Sequence, residues 1–152
     1  MIDIDGVVAD VRHRLRYLRG RKQWNGFFAA AGDDPLLEVG AALVHDLART
    51  CEIVWLSGRP ESLRALTRTW LDGHGLPAGP LFLRAPGDYR PAAVTKLECL
   101  REQARGATVA AVVDDDPDVV AAVRAAGFPV VLADWVPHEK TLHRAQEESG
   151  RT

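Results

Sequence analysis

No stretch of this sequence stays apolar long enough to cross a membrane as a helix, which excludes a helical membrane protein. Cysteine is scarce: Cys51 and Cys99 have neither C-x-x-C spacing nor a secretory leader, so a disulfide scaffold is excluded and reduced, buried thiols in a cytoplasmic protein are expected. His13, His45, His74, His138 and His143 share no metal-ligand spacing and read as structural or exposed. No G-x-x-x-x-G-K-S/T stretch occurs, so the chain has no P-loop. There is no internal repeat and no linker. What is left, 152 residues that are 47% hydrophobic with a net charge of -2, makes one globular domain with enough apolar material for a core.

What the chain does have begins at once. Met1-Ile2-Asp3-Ile4-Asp5-Gly6 reads as a short strand that ends at a glycine. Alternate side chains of a strand share a face, so Asp3 and Asp5 sit close together, and like charges at that range repel unless a cation lies between them. A calcium loop is excluded, because its glycine stands sixth and this one stands fourth. Charge is unevenly spread. Arg12, Arg14, Arg16, Arg19, Arg21 and Lys22 fall within eleven residues that contain no acid, whereas acids gather at Asp114 to Asp118.

Beyond the basic run come Trp24, Phe27 and Phe28, whose i, i+3, i+4 spacing is that of a packed helix face and predicts core, with stacking on a nucleic-acid base as the other use of such aromatics. A loop follows at Gly32-Asp33-Asp34-Pro35. Apolar residues from Leu36 to Leu47 recur at helical spacing and predict a helix reaching Thr50. Ile53-Val54-Trp55-Leu56 is a buried strand that stops at Ser57-Gly58-Arg59-Pro60, and Pro60 opens a helix capped by Gly73. Leu81-Phe82-Leu83 is a third strand. Pro91 then opens a helix carrying Lys96. Val109 to Val113 is another buried strand, a helix runs from Pro117 to Ala126 with Gly127 as its stop, and Val130-Val131-Leu132 is the last strand. A polar terminal helix or tail is expected over 137–152.

Strands alternating with helices predict an α/β domain with a mostly parallel sheet covered on both faces, where ligands gather at the carboxyl ends of the strands. Asp3 with Asp5, Ser57 with Arg59, and Asp114 with Asp115 each follow an apolar strand. The fold therefore brings together groups that are far apart in sequence.

The order D-I-D-G-V, L-S-G-R, a lysine, then V-V-D-D resembles the haloacid dehalogenase (HAD) superfamily of phosphotransferases. Within it the chain is most similar to the 3'-phosphatase domain of polynucleotide kinase/phosphatase, over about residues 3 to 135. Arg14 eleven residues after Asp3, the string Thr67-Arg68-Thr69-Trp70, the Arg90 to Lys96 spacing and Val119-Val120 after the acids carry that likeness. It implies a three-layer Rossmann-like fold, with a small cap inserted after the first strand at about 10–40 of a single domain spanning 1–152. The missing P-loop means that no kinase half is present, which leaves room for a separate kinase or ligase as partner.

Phosphate monoesters hydrolyse very slowly in water, so a catalyst needs a nucleophile, a proton donor for the leaving oxygen and several positive charges. Asp3 is expected to attack phosphorus and form an aspartyl phosphate, and Asp5 to protonate the departing alkoxide and later deprotonate water. Magnesium is the expected cofactor, held by Asp3, the backbone carbonyl of Asp5 and a carboxylate after the Val109 to Val113 strand. Matching the family's double acid puts Asp115 at the direct position with Asp114 in support; spacing alone also allows Asp114 with Asp118. Asp116 and Asp118 flank Pro117 at a helix start and are expected to serve its dipole. Ser57 and the amide of Gly58 are expected to hold phosphoryl oxygens and Lys96 to supply full charge. The resemblance implies that Arg14, Arg59 and Arg90 surround the substrate's phosphate, for which arginine's fork is suited. The expected substrate is a 3'-phosphate end of nucleic acid or a nucleotide. A small-metabolite phosphatase of the same mechanism is the alternative, and a non-catalytic phosphate-binding module is a third reading that the filled catalytic positions oppose.

Overall fold

A computed structural model describes residues 1–137. The terminal helix or tail expected over 137–152 lies, apart from Pro137, outside them. Four named strands and five α-helices follow in chain order: α1 (Trp24–Ala29), α2 (Glu38–Leu47), β1 (Trp55–Pro60), α3 (Arg64–Gly73), β2 (Leu81–Arg84), α4 (Ala92–Gln103), β3 (Val112–Asp114), α5 (Pro117–Ala125) and β4 (Val130–Leu132). β1 pairs with β2 and β3 with β4, both in parallel. The leading segment joins the two pairs. Ile2 N–H donates to Val54 O at 2.8 Å and Asp3 N–H to Val113 O at 2.9 Å, so the order is β2, β1, leading segment, β3, β4, parallel throughout. The result is a mixed α/β structure with parallel strands, as expected.

The core explains the apolar runs. Ile2, Ile4, Val7, Val8, Trp55, Leu71 and Val113 are buried in one cluster, while Leu100, Val112, Val119 and Val123 form another between α4, α5 and β3. Trp24 and Phe27 bury with Val11, Leu15 and Leu18 in a third, and Phe28 packs half-buried against it, so Trp24 and Phe27 are core as expected. Their rings meet at 5.8 Å, edge to face, the arrangement that the ring quadrupole favours. Gly40 of α2 is required by packing: a Cβ there would stand 1.8 Å from the Val7 carbonyl oxygen.

Several boundaries differ from the sequence expectation. The leading strand is reduced to a bridge at Ile2, because the chain turns at Gly6 (φ +76°) and the amides of Val8 and Ala9 close back on Ile4 O. β1 runs on to Pro60 instead of stopping at Ser57, since Pro60 still pairs with Arg84 after a register shift. A 3-10 turn, Glu61–Leu63, then precedes α3, whose left-handed stop is Gly75 (φ +66°) and not Gly73. Val109 to Ala111 stay outside β3; at Ala111 the carbonyl receives the Met1 ammonium at 2.7 Å in place of a strand amide. Gly127 (φ +83°) ends α5 as expected. Both cysteines are free, and half-buried instead of buried.

Candidate active site

Each polar cluster is delivered by the backbone element before it. Asp3 and Asp5 leave the leading segment at the Gly6 turn, Ser57 and Arg59 lie on β1, Asp114 closes β3, and α4 buries Lys96 beneath them. These residues sort into two charge groups.

In the first, ligand oxygens of Asp3, Asp114 and Asp115 all lie within 4.8 Å of one another. Lys96 Nζ stands 2.7 Å from Asp114 Oδ2 and 3.0 Å from Asp3 Oδ2. Burial opposes the lysine's charge, but Asp114 and Asp3 outweigh it and raise its pKa. Burial pushes Asp3 up to about 7, with Lys96 opposing and Asp114 and Asp5 adding to the rise. What acts on Asp115 is again burial first, then the charges of Asp3 and Asp114, so its carboxyl is held well above the usual range. One oxygen, Asp3 Oδ1, is buried with no hydrogen-bond partner.

Such a set fits a hard divalent cation: oxygen donors, crowded like charges and an orphaned carboxylate oxygen. The two neighbouring acids are not equivalent. Asp114 already accepts from Lys96 on Oδ2 and from the Asp116 amide on Oδ1 at 3.0 Å, whereas Asp115 Oδ2 reaches so near Gly6 that a Cβ there would stand 2.0 Å from it. Asp116 accepts from the Asp118 amide at 2.8 Å and caps α5, as expected of acids at a helix start.

In the second group, Arg14 and Arg59 are wholly buried and both turn onto Asp5. Arg14 Nη2 donates to Asp5 Oδ1 at 2.8 Å, and Arg59 Nε and Nη2 donate to the same oxygen at 2.9 and 2.6 Å. Burial alone would raise Asp5, but the two guanidiniums outweigh it and hold its carboxyl down at about 2. Arg14, expected at a substrate phosphate, lies on the stripe that it shares with Val11, Leu15 and Leu18, over the Phe27 ring at 4.2 Å. Ser57 Oγ accepts the Arg59 amide at 3.3 Å, which leaves its hydroxyl hydrogen to donate, and Gly58 stands half-buried between them.

Arg90 is not gathered with either group. Its half-exposed guanidinium donates to Asp88 at 2.8 Å and to Glu98 at 2.9 Å. Sequence reasoning missed one residue altogether: Asp34, buried, accepts from both Arg14 and Arg59. An aspartate before a proline in a polar loop carries no signal of that.

Comparison with known proteins gives the same family as the motifs. No curated protein matches the chain. Two solved structures share its fold: that of a Pnkp1/Rnl/Hen1 complex, at TM-score 0.75 and 24% identity over 90% of this chain, and that of a Pnkp1/Rnl/Hen1 RNA repair complex, at TM-score 0.72 and 25% identity over 86%. The chain spans only 45% and 40% of those two chains. A sequence profile described as the polynucleotide kinase PNKP phosphatase domain matches residues 1–134. The chain therefore belongs to the HAD family of PNKP phosphatase domains.

Proposed function

We propose that this chain is a magnesium-dependent phosphomonoesterase that works through an aspartyl phosphate on Asp3, with 3'-phosphate ends of nucleic acid or nucleotides as substrate. One observation carries the proposal: buried Asp3, Lys96 and Asp114 and half-buried Asp115, from three separated segments, converge in one group beside Asp5. The domain is taken to be a three-layer Rossmann-like unit in which about 10–40 forms a small cap.

In the first step a carboxylate oxygen of Asp3 bonds to phosphorus as the bond from phosphorus to the ester oxygen breaks. The electron pair leaves with that oxygen, which takes a proton from Asp5; because Arg14 and Arg59 hold that carboxyl ionised, the proton first reaches Asp5 from the monoanion of the substrate's phosphate. In the second, Asp5 removes a proton from water, the water oxygen bonds to phosphorus, and the bond to Asp3 breaks. Lys96 offsets the charge of Asp3 and of the transferring group, while Ser57 and the Gly58 amide donate to its oxygens. Asp3, Asp115 and the Asp5 carbonyl would hold magnesium, with Asp114 in support through Lys96. The ion supplies a positive charge that screens the phosphoryl oxygens from the incoming carboxylate.

A polyanionic substrate is favoured by Arg16, Arg19 and Arg21, all exposed on one segment of the cap. The engagement of Arg90 with Asp88 and Glu98 favours the alternative, a small phosphate ester. Because the similar Pnkp1 chains occur in complexes with Rnl and Hen1, a separate kinase or ligase is proposed as a partner. Hydrolysis of a chromogenic phosphate ester tests the core of the proposal. Activity with magnesium that vanishes in chelator is expected, and full activity in excess chelator would contradict it.

A further inference from the structure

Two arginines that share one carboxylate need a counter-charge of their own, and Asp34 provides it. Its Oδ1 accepts from Arg14 Nε at 2.8 Å, and its Oδ2 accepts from Arg14 Nη2 at 2.8 Å and from Arg59 Nη2 at 2.7 Å. With the three bonds that the same guanidiniums give Asp5, this closes a ring of two anions and two cations. Both arginines in it are 0% exposed and Asp34 is 2% exposed. The ring is fixed from outside as well. The Trp70 indole donates to the Asp34 carbonyl at 2.8 Å, and His13 Nε2 lies 2.7 Å from Asp34 Oδ1.

We propose that Asp34 is a positioning residue for the proton transfers of Asp5, a role that rests on the acid-base assignment above. The bidentate grip on Arg14 and the third bond to Arg59 set both forks, so that all three donors to Asp5 fall on Oδ1. Oδ2 is thereby the oxygen that carries the proton to and from the reacting group. Without the charge at position 34, Arg14 and Arg59 have only Asp5 to neutralise them, and an arriving phosphoryl group competes for their donors. Asp5 then loses its fixed direction. The nucleophile does not, because Asp3 takes its ion pair from Lys96 in the other group. Arg14 and Asp34 both come from the 10–40 segment, so this insertion builds part of the catalytic floor and does more than cover it.

A leaving group that needs no proton separates positioning from mere stability. Dinitrophenyl phosphate expels a phenolate that departs unaided, whereas an alkyl phosphate expels an alkoxide that must be protonated. In Asp34→Asn, kcat/KM is expected to fall about 100-fold on the alkyl ester and about threefold or less on the dinitrophenyl ester. The ratio of the two values does not depend on how much of the protein is folded, since an inactive fraction lowers both alike. Asp34→Glu, which keeps the charge, is expected to move that ratio in the same sense but less. An equal loss on both esters, or an unchanged ratio in both variants, overturns the positioning role while leaving the phosphatase assignment intact. Failure of the wild-type chain to hydrolyse either ester overturns the assignment itself, and the role of Asp34 with it.

Discussion

Adding magnesium should stabilise this protein, and the size of the effect can be worked from the first charge group. Asp3, Asp114 and Asp115 bring three negative charges and Lys96 brings one positive charge, which leaves two negative charges uncompensated when all are ionised. At the 4.8 Å that bounds their ligand oxygens, and with an effective dielectric constant of about 20, each like-charge pair is worth on the order of 3 kcal/mol of repulsion. One divalent ion matches the deficit. An ion present at about 100 times its Kd stabilises the folded state by about 2.7 kcal/mol, which for a domain of this size raises Tm by about 5–11 °C. Thermal unfolding followed by tryptophan fluorescence, in chelator and across a magnesium series, measures the shift. At a pH high enough to ionise Asp115, Asp115→Asn removes one of the repelling charges, so it should melt higher than wild type in chelator and gain little from magnesium. Equal magnesium shifts in wild type and Asp115→Asn would refute the assignment of Asp115, and no shift in wild type would refute the site.

Two further outcomes follow from the geometry. If Arg16, Arg19 and Arg21 contact backbone phosphates, kcat/KM on a 3'-phosphorylated oligonucleotide should fall with salt at a log-log slope of about -0.7 for each contact. Neutralising all three should flatten that slope and leave turnover of a small ester unchanged; equal slopes for both substrates would move the assignment to a metabolite phosphatase. Gly40→Ala should destabilise the fold by about 1–3 kcal/mol in chemical denaturation, although alanine by itself favours a helix by about 1 kcal/mol, because the new Cβ meets the Val7 carbonyl oxygen at 1.8 Å. A more stable variant would show that α2 can slide off the leading segment.

The helices and the position of the acidic site were legible because each depends on local signals. Apolar periodicity marks α2, α3 and α5, and Asp3 with Asp114 and Asp115 follow apolar runs whose carboxyl ends a parallel sheet must bring together. The direction of Arg14 was legible too, had its neighbours been weighed. Val11, Leu15 and Leu18 stand at i-3, i+1 and i+4 from it, so the arginine falls on the buried stripe and not on the solvated face of its basic run. Asp34 was not legible. Its place depends on a loop folding back across Arg14 and Arg59, from 20 and 25 residues away in sequence. The length of β3 was beyond reach for a similar reason: Val109 to Ala111 are as apolar as Val112 and Val113, and only the neighbouring segment decides where the ladder begins.

The claim that phosphate passes through Asp3 can be met most directly with a radiolabelled phosphate ester, quenched in acid during turnover. Wild type should carry label on the peptide that contains Asp3, released by hydroxylamine as an acyl phosphate is. Asp5→Asn, which lacks the base for the second step, should retain any label it acquires for longer, and Asp3→Asn should carry none and turn over no substrate. An active Asp3→Asn enzyme, or label on any other peptide, would contradict the mechanism.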